Sequence, residues 1–282
     1  MDDGEWSIDA TRTIDIDGVL ELNAESTAGR LDVLAHDEEF TRIEITEVTG
    51  SPIRVVLEDG VLLVRHRTTA RGFLQRLLDS GTFTAGKLKD RCVATILVPT
   101  GTRVRAGTVV GECLVAGIAA DVHAETVTGS ILVDGTTGHL GVETVSGEVI
   151  VRNHTGGFSS ESVSGDVTAS GMIDDASASS VSGELALDLL GSPRAASAST
   201  VSGSVRIRVP EGIGIDLEAH TVTGSVHLND QSFRGVAKKL RVGDGPVAPR
   251  VAIHSEGVSG RVAVFNAPSQ APAGAAPEEA AS

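Results

Sequence analysis

From residue 101 to residue 266 apolar and polar positions alternate with a period of two, in short runs that themselves recur. Val145, Gly147, Val149 and Val151 share one parity, with Ser146, Glu148, Ile150 and Arg152 on the other. Such alternation is the mark of a half-buried strand, one face to a core and one to water. Leu140 and Val142 fall on the opposite parity, so the inward face switches at a corner near Thr144. The matching positions one, two and three repeats later are Phe158 and Ser160, then Ala176 and Ala178, then Ala196 and Ala198. Each repeat therefore predicts two strands, one β-branched and one rich in small residues, as in a flattened tube of two sheets.

The corner carries a motif. Thr126-Val127-Thr128-Gly129 returns as Thr144-Val145-Ser146-Gly147, Ser162-Val163-Ser164-Gly165, Ser180-Val181-Ser182-Gly183, Thr200-Val201-Ser202-Gly203 and Thr221-Val222-Thr223-Gly224. A degenerate copy ends at Gly111 and a late one at Gly260. The glycines at 111, 129, 147, 165 and 183 lie 18 apart, and the later intervals are 20, 21 and 36. A fixed period of this size predicts stacked repeats. The fold expected is an all-β, single-stranded parallel β-solenoid with two-strand coils of about 18 residues. It should wind right-handed, the default for parallel crossovers. Gly111, Gly129, Gly147, Gly165, Gly183, Gly203, Gly224 and Gly260 are its structural row, and Val145, Val163 and Val181 are expected to stack inward beside it. The interval of 36 predicts two coils, the middle one lacking the motif and carrying Phe233, Lys238, Lys239 and Gly243-Asp244-Gly245-Pro246.

Residues 1–9 read as an N-terminal arm, 10–100 as irregular early coils with a cap, 101–266 as the regular array and 267–282 as a disordered Ala/Pro/Glu tail. In the early part, residues 25–33 (Glu-Ser-Thr-Ala-Gly-Arg-Leu-Asp-Val) look like a worn copy of 125–133. Residues 66–91 interrupt the strands as an insertion. Phe73, Leu74, Leu77 and Leu78 are spaced for one face of a short helix over 71–79, with Arg71 and Arg76 opposite.

Composition narrows the functional classes. Aromatic residues make up 2% of the chain, with no Tyr and one Trp, which suits thin coils filled by Val, Ile, Leu and Ala. A net charge of -15 argues against nucleic acid and anionic membranes, which both need a basic face. No apolar run approaches the ~18–20 residues that span a bilayer, and no signal-peptide pattern opens the chain, so a cytoplasmic location is expected. Cys113 stands where later coils have Ile131, Val149, Val167 and Leu185, which predicts a buried free thiol, a disulfide to Cys92 being the lesser alternative.

The stepped Thr/Ser-Val-Ser-Gly-Glu/Asp-Val copies, the strand Ile96-Leu97-Val98 ending at Pro99, and the Gly243-Asp244-Gly245-Pro246 turn before a final Val-Ser-Gly coil resemble the bacterial putative-adhesin family. The resemblance covers roughly residues 10–266. It implies a β-solenoid of a domain type with no agreed function, whose members are often envelope-associated. It transfers no catalytic residue and no cofactor.

Repetition also turns single residues into ladders. Glu148, Asp166 and Glu184 are expected in register on the outer face, as candidates for holding a cation, since calcium accepts clustered carboxylates. The Gly-Gly-x-Gly-x-Asp nonapeptides of calcium-binding rolls are missing, however. A second acidic column, Glu125, Glu143 and Glu161, lies across the corner. The hydroxyl row Thr128, Ser146, Ser164, Ser182, Ser202 and Thr223 invites an ice-binding reading, against the simpler one that hydroxyls satisfy turn backbone groups. Glycan-cleaving solenoids need paired carboxylates with aromatic platforms, and here the platforms are lacking. The expectation is a non-catalytic scaffold or protein-interaction module with a protein partner. The alternative is a carbohydrate-active or ligand-binding solenoid that uses its acidic face.

Overall fold

The computed structural model describes residues 4–66, 89–234, 238–246 and 249–267. Among them every regular element is a strand, and the expected helix over 71–79 lies outside the described residues. The central strands are long because each runs through a corner. These are β3 (Glu21–His36), β8 (Arg103–Ala116), β9 (Val122–Asp134), β11 (Glu148–Ser162) and β12 (Val167–Ser180), with β10 (Thr137–Thr144) completing the turn between β9 and β11. Parallel pairing proceeds one repeat at a time: Gly29 opposite Gly111, Gly111 opposite Gly129, Val149 opposite Val167. The worn copy at residues 25–33 thus lies in parallel register with residues 107–115.

The strand halves before the corner form one ladder and the halves after it form another. Leu140 and Val142 from the first meet Val149 and Val151 from the second in a single core cluster. Phe158 is the largest side chain buried there, and Ala176, Ala178, Ala196 and Ala198 follow it. Both cysteines are buried and free. Burial pushes their thiols up, Cys92 to about 11 and Cys113 to about 12, which keeps them protonated and unreactive.

The corner itself corrects the sequence reading. The Thr or Ser that opens the motif faces inward: the Gly147 N–H donates to Thr144 Oγ1 at 2.9 Å, Gly165 to Ser162 Oγ at 2.9 Å and Gly183 to Ser180 Oγ at 2.8 Å. That bond closes the turn and rotates the next residue out. Val163 and Val181 are accordingly 39% and 49% exposed, not buried, and Val145 is half-buried. Val109 and Val127 in the first coils are buried, in a small cluster of their own apart from the core. The following hydroxyl secures the stack. Ser146 Oγ donates to the Val127 carbonyl oxygen and Ser164 Oγ to that of Val145, at 3.2 and 3.1 Å. At the glycine, a Cβ would fall on the carbonyl oxygen of the glycine one coil back, so no side chain fits.

Both ends of the stack depart from sequential winding. After β16 (Gly214–Leu228) the chain turns back as β17 (Gln231–Arg234) and β18 (Lys238–Asp244), both antiparallel to β16. It then returns as β19 (Arg250–Ala267), laid parallel between β16 and the pair β14 (Ala195–Ser202) and β15 (Val205–Pro210). The interval of 36 is therefore a hairpin cap plus one inserted coil, and the spatial order of the glycine row is Gly203, Gly260, Gly224. Most of β19 between Ala252 and Val264 is paired on both edges, and short antiparallel strands are left to blunt the open edge.

The N-terminal end mirrors this. β6 (Val61–His66) and β7 (Arg91–Pro99) pair with the two halves of β3, β6 ending and β7 beginning beside its corner. Beyond them lie antiparallel β1 (Gly4–Ile8) with β5 (Ile53–Glu58), and β2 (Arg12–Ile16) with β4 (Thr41–Thr49). Among the described residues of 10–100, β6 and β7 thus add a parallel layer to β3, and antiparallel strands lie beyond it.

Candidate functional site

The outer face of the first ladder is where polar chemistry gathers. One row crosses it from coil to coil: Arg105, His123, Gly141, Ser159, Ser177, Ser197, His254, Glu218 and Arg241. The ends of the row are long and charged and the middle is short, so the face is hollow. A groove of about 920 Å³ runs over the serines from His139 to Arg241, and a smaller one of about 400 Å³ continues past Ser159 to Arg105. Ion pairs line the rims of the larger groove. Arg194 meets Asp174 and Asp175, Arg250 meets Asp216, and Arg241 meets Glu218 at 3.2 Å.

Two histidines lie along the stack in the smaller groove. The His123 ring covers Gly141 and the His139 ring covers Gly157, each with Nδ1 about 3 Å from where a Cβ would sit. His139 Nε2 is 3.3 Å from Ser159 Oγ, the spacing of a nucleophile and its base. Yet Asp121, which orients the His139 backbone by accepting its N–H at 3.0 Å, does not bond the ring. The pair offers a hydroxyl and an imidazole to a ligand in the groove.

The adjacent row is acidic. Glu125, Glu143 and Glu161 are in register, and Glu25 lies two coils before Glu125 across Gly107. Burial pushes the Glu125 carboxyl up to about 7, helped by the charges of Glu25 and Glu143 and opposed by Arg105. Burial also holds His123 below the usual histidine value, against the pull of Glu143. His123 Nε2 stands 3.6 Å from Glu143 Oε1.

The row proposed from sequence, Glu148, Asp166 and Glu184, lies on the outer face of the second ladder just past the corner. It is tied up locally. Asp166 Oδ1 accepts the Glu184 N–H at 2.8 Å, and Glu184 pairs with Arg206 at 3.0 Å. Among the described residues, the group whose donor atoms converge is a different one, His123, Glu125 and Glu143. Its signal in the sequence is a His-x-Glu on one strand, which places both side chains on one face, with a second Glu 18 residues later. The hydroxyl row serves the stack, as the bonds from Thr128, Ser146, Ser164 and Thr223 to valine carbonyls one coil away demonstrate.

No family model and no curated protein matches the chain. Solved structures do. A protein from Parabacteroides distasonis described as a putative lipid binding protein is 14% identical over 92% of this chain and 97% of its own, with a TM-score of 0.52. A putative adhesin from Bacteroides fragilis is 14% identical over 90% of this chain and 96% of its own, with a TM-score of 0.49. A putative adhesin from Parabacteroides merdae is 12% identical over 90% and 95%, with a TM-score of 0.32. At such identities the likeness to the Parabacteroides distasonis protein is one of fold: an all-β, largely parallel architecture shared along most of both chains.

Proposed function

We propose that this chain is a non-catalytic interaction module of adhesin-like kind, wound as a right-handed parallel β-solenoid, that holds a protein partner against the outer face of its first ladder. The observation that carries this reading is the groove of about 920 Å³ over Ser159, Ser177 and Ser197. It is long in the stacking direction, floored by small hydroxyls and rimmed by charges of both signs. That shape takes an extended segment with several polar contacts rather than one compact substrate. The Parabacteroides distasonis neighbour, described as a putative lipid binding protein, is consistent with a binding role.

The decisive comparison uses the purified chain as bait beside a Ser177→Trp variant, whose indole fills the groove floor without touching the core. A stoichiometric protein partner retained by the first and lost by the second supports the proposal. A partner that ignores the substitution, or no partner together with binding on a glycan array, replaces it with the carbohydrate-binding alternative.

A further inference from the structure

We infer that His123, Glu125 and Glu143 form a binding site for a single zinc-like divalent transition-metal ion, independent of the partner-binding role of the larger groove. The three side chains come from two adjacent coils and offer one imidazole and two carboxylates, with donor atoms all within 4.8 Å of one another. Around a zinc ion with bonds of about 2.0–2.1 Å, tetrahedral ligands stand about 3.3 Å apart. His123 Nε2 and Glu143 Oε1, at 3.6 Å, are already close to that separation.

Two glycines make the room. Gly141 has no Cβ under the His123 ring, where one would meet Nδ1 at 2.9 Å. Gly107 has none beside Glu125, where one would meet Cγ at 2.9 Å. Either row would be closed by the larger residues that occupy it elsewhere, such as Ser159 or Glu161. Above the cluster the cavity of about 400 Å³ leaves a fourth position open to water or a ligand. A site with three protein ligands and one free position is the form zinc takes where it binds something else as well.

Charge points the same way. Glu25, Gly107, Glu125 and Glu143 follow one another in register, and Arg105 in the neighbouring row lies 3.6 Å from Glu21. Like charges held in register cost stability unless something offsets them. A divalent ion between Glu125 and Glu143 does so, and the imidazole selects a transition metal over calcium, which prefers oxygen alone.

The test uses the full chain stripped with chelator, titrated with zinc sulfate by calorimetry and scanned for thermal unfolding at pH 7.5. One zinc per chain and a melting temperature raised by several degrees are expected. Both effects should vanish in His123→Ala and Glu143→Gln and persist in Glu148→Gln. The two substituted residues are half-exposed, and metal-free circular dichroism confirms that their variants fold. Cobalt(II) in the same position should show the intense visible bands of a low-coordinate ion. Absence of saturable one-to-one binding overturns the proposal, and so does zinc binding that survives both substitutions or is lost in Glu148→Gln.

Discussion

Two rows of carboxylates run along this molecule, one on each side of the corner, and the sequence writes them almost identically. Glu148, Asp166 and Glu184 recur once per coil, and so do Glu125, Glu143 and Glu161. On the second ladder the row stands in water, with one member taking a backbone N–H and another an arginine. On the first ladder Glu125 is half-buried under its neighbours, shares space with Glu25 and Glu143, and has its carboxyl raised to about 7. The difference teaches that a repeated carboxylate stays charged where water or a local partner solvates it and holds its proton where burial removes that option.

The largest effect expected from breaking the comparison comes from moving a carboxylate one residue along a strand. Asp166 is exposed, whereas Val167 is 1% exposed against the core. Val167→Asp should cost several kcal/mol and melt the central coils. Val163→Asp puts the same charge on the corner, at a side chain that already faces water, and should cost less than about 1 kcal/mol. Thermal scans of the two variants test the assignment of faces: equal losses would mean that Val163 packs inward after all.

A smaller effect is expected at Glu125. Its folded-state pKa of about 7 lies above the ordinary 4.5, so the native chain holds this proton more tightly than the unfolded one. The stabilisation is complete below about pH 4.5 and is lost as pH rises through about 7. Glu125→Gln in chelated protein should therefore change little at pH 4 and raise stability by about 1–2 kcal/mol at pH 8, less than the full linkage value because the side chain is partly solvated. A pH-independent difference in melting temperature would show that Glu125 ionises like an exposed residue.

The smallest effect belongs to the other row. Glu148→Gln should alter stability by no more than about 0.5 kcal/mol at any pH, since exposed like charges in register repel weakly in salt. If chemical denaturation instead showed a change as large as that of Glu125→Gln, the two rows would be equivalent and the contrast between them would fail.

The positions that sequence reasoning placed correctly are those decided by local period. The alternation around Leu140 and Val149, the 18-residue step and the worn copy at residues 25–33 all follow from how a strand presents its faces, and that is written residue by residue.

What only the tertiary structure decided depends on groups far apart in the chain. The Val163 side chain points outward because Ser162 must turn in to receive the Gly165 N–H, a competition that a hydrophobicity pattern does not register. β19 sits between strands that precede it because an end coil needs a cap before the last pair of edges can close, so spatial order and chain order part company. His123, Glu125 and Glu143 come together only because glycines at 107 and 141 lie opposite them in neighbouring coils. Periodicity is a property of the strand and can be read from it. Burial and convergence are properties of the stack, and they exist only once the coils have met.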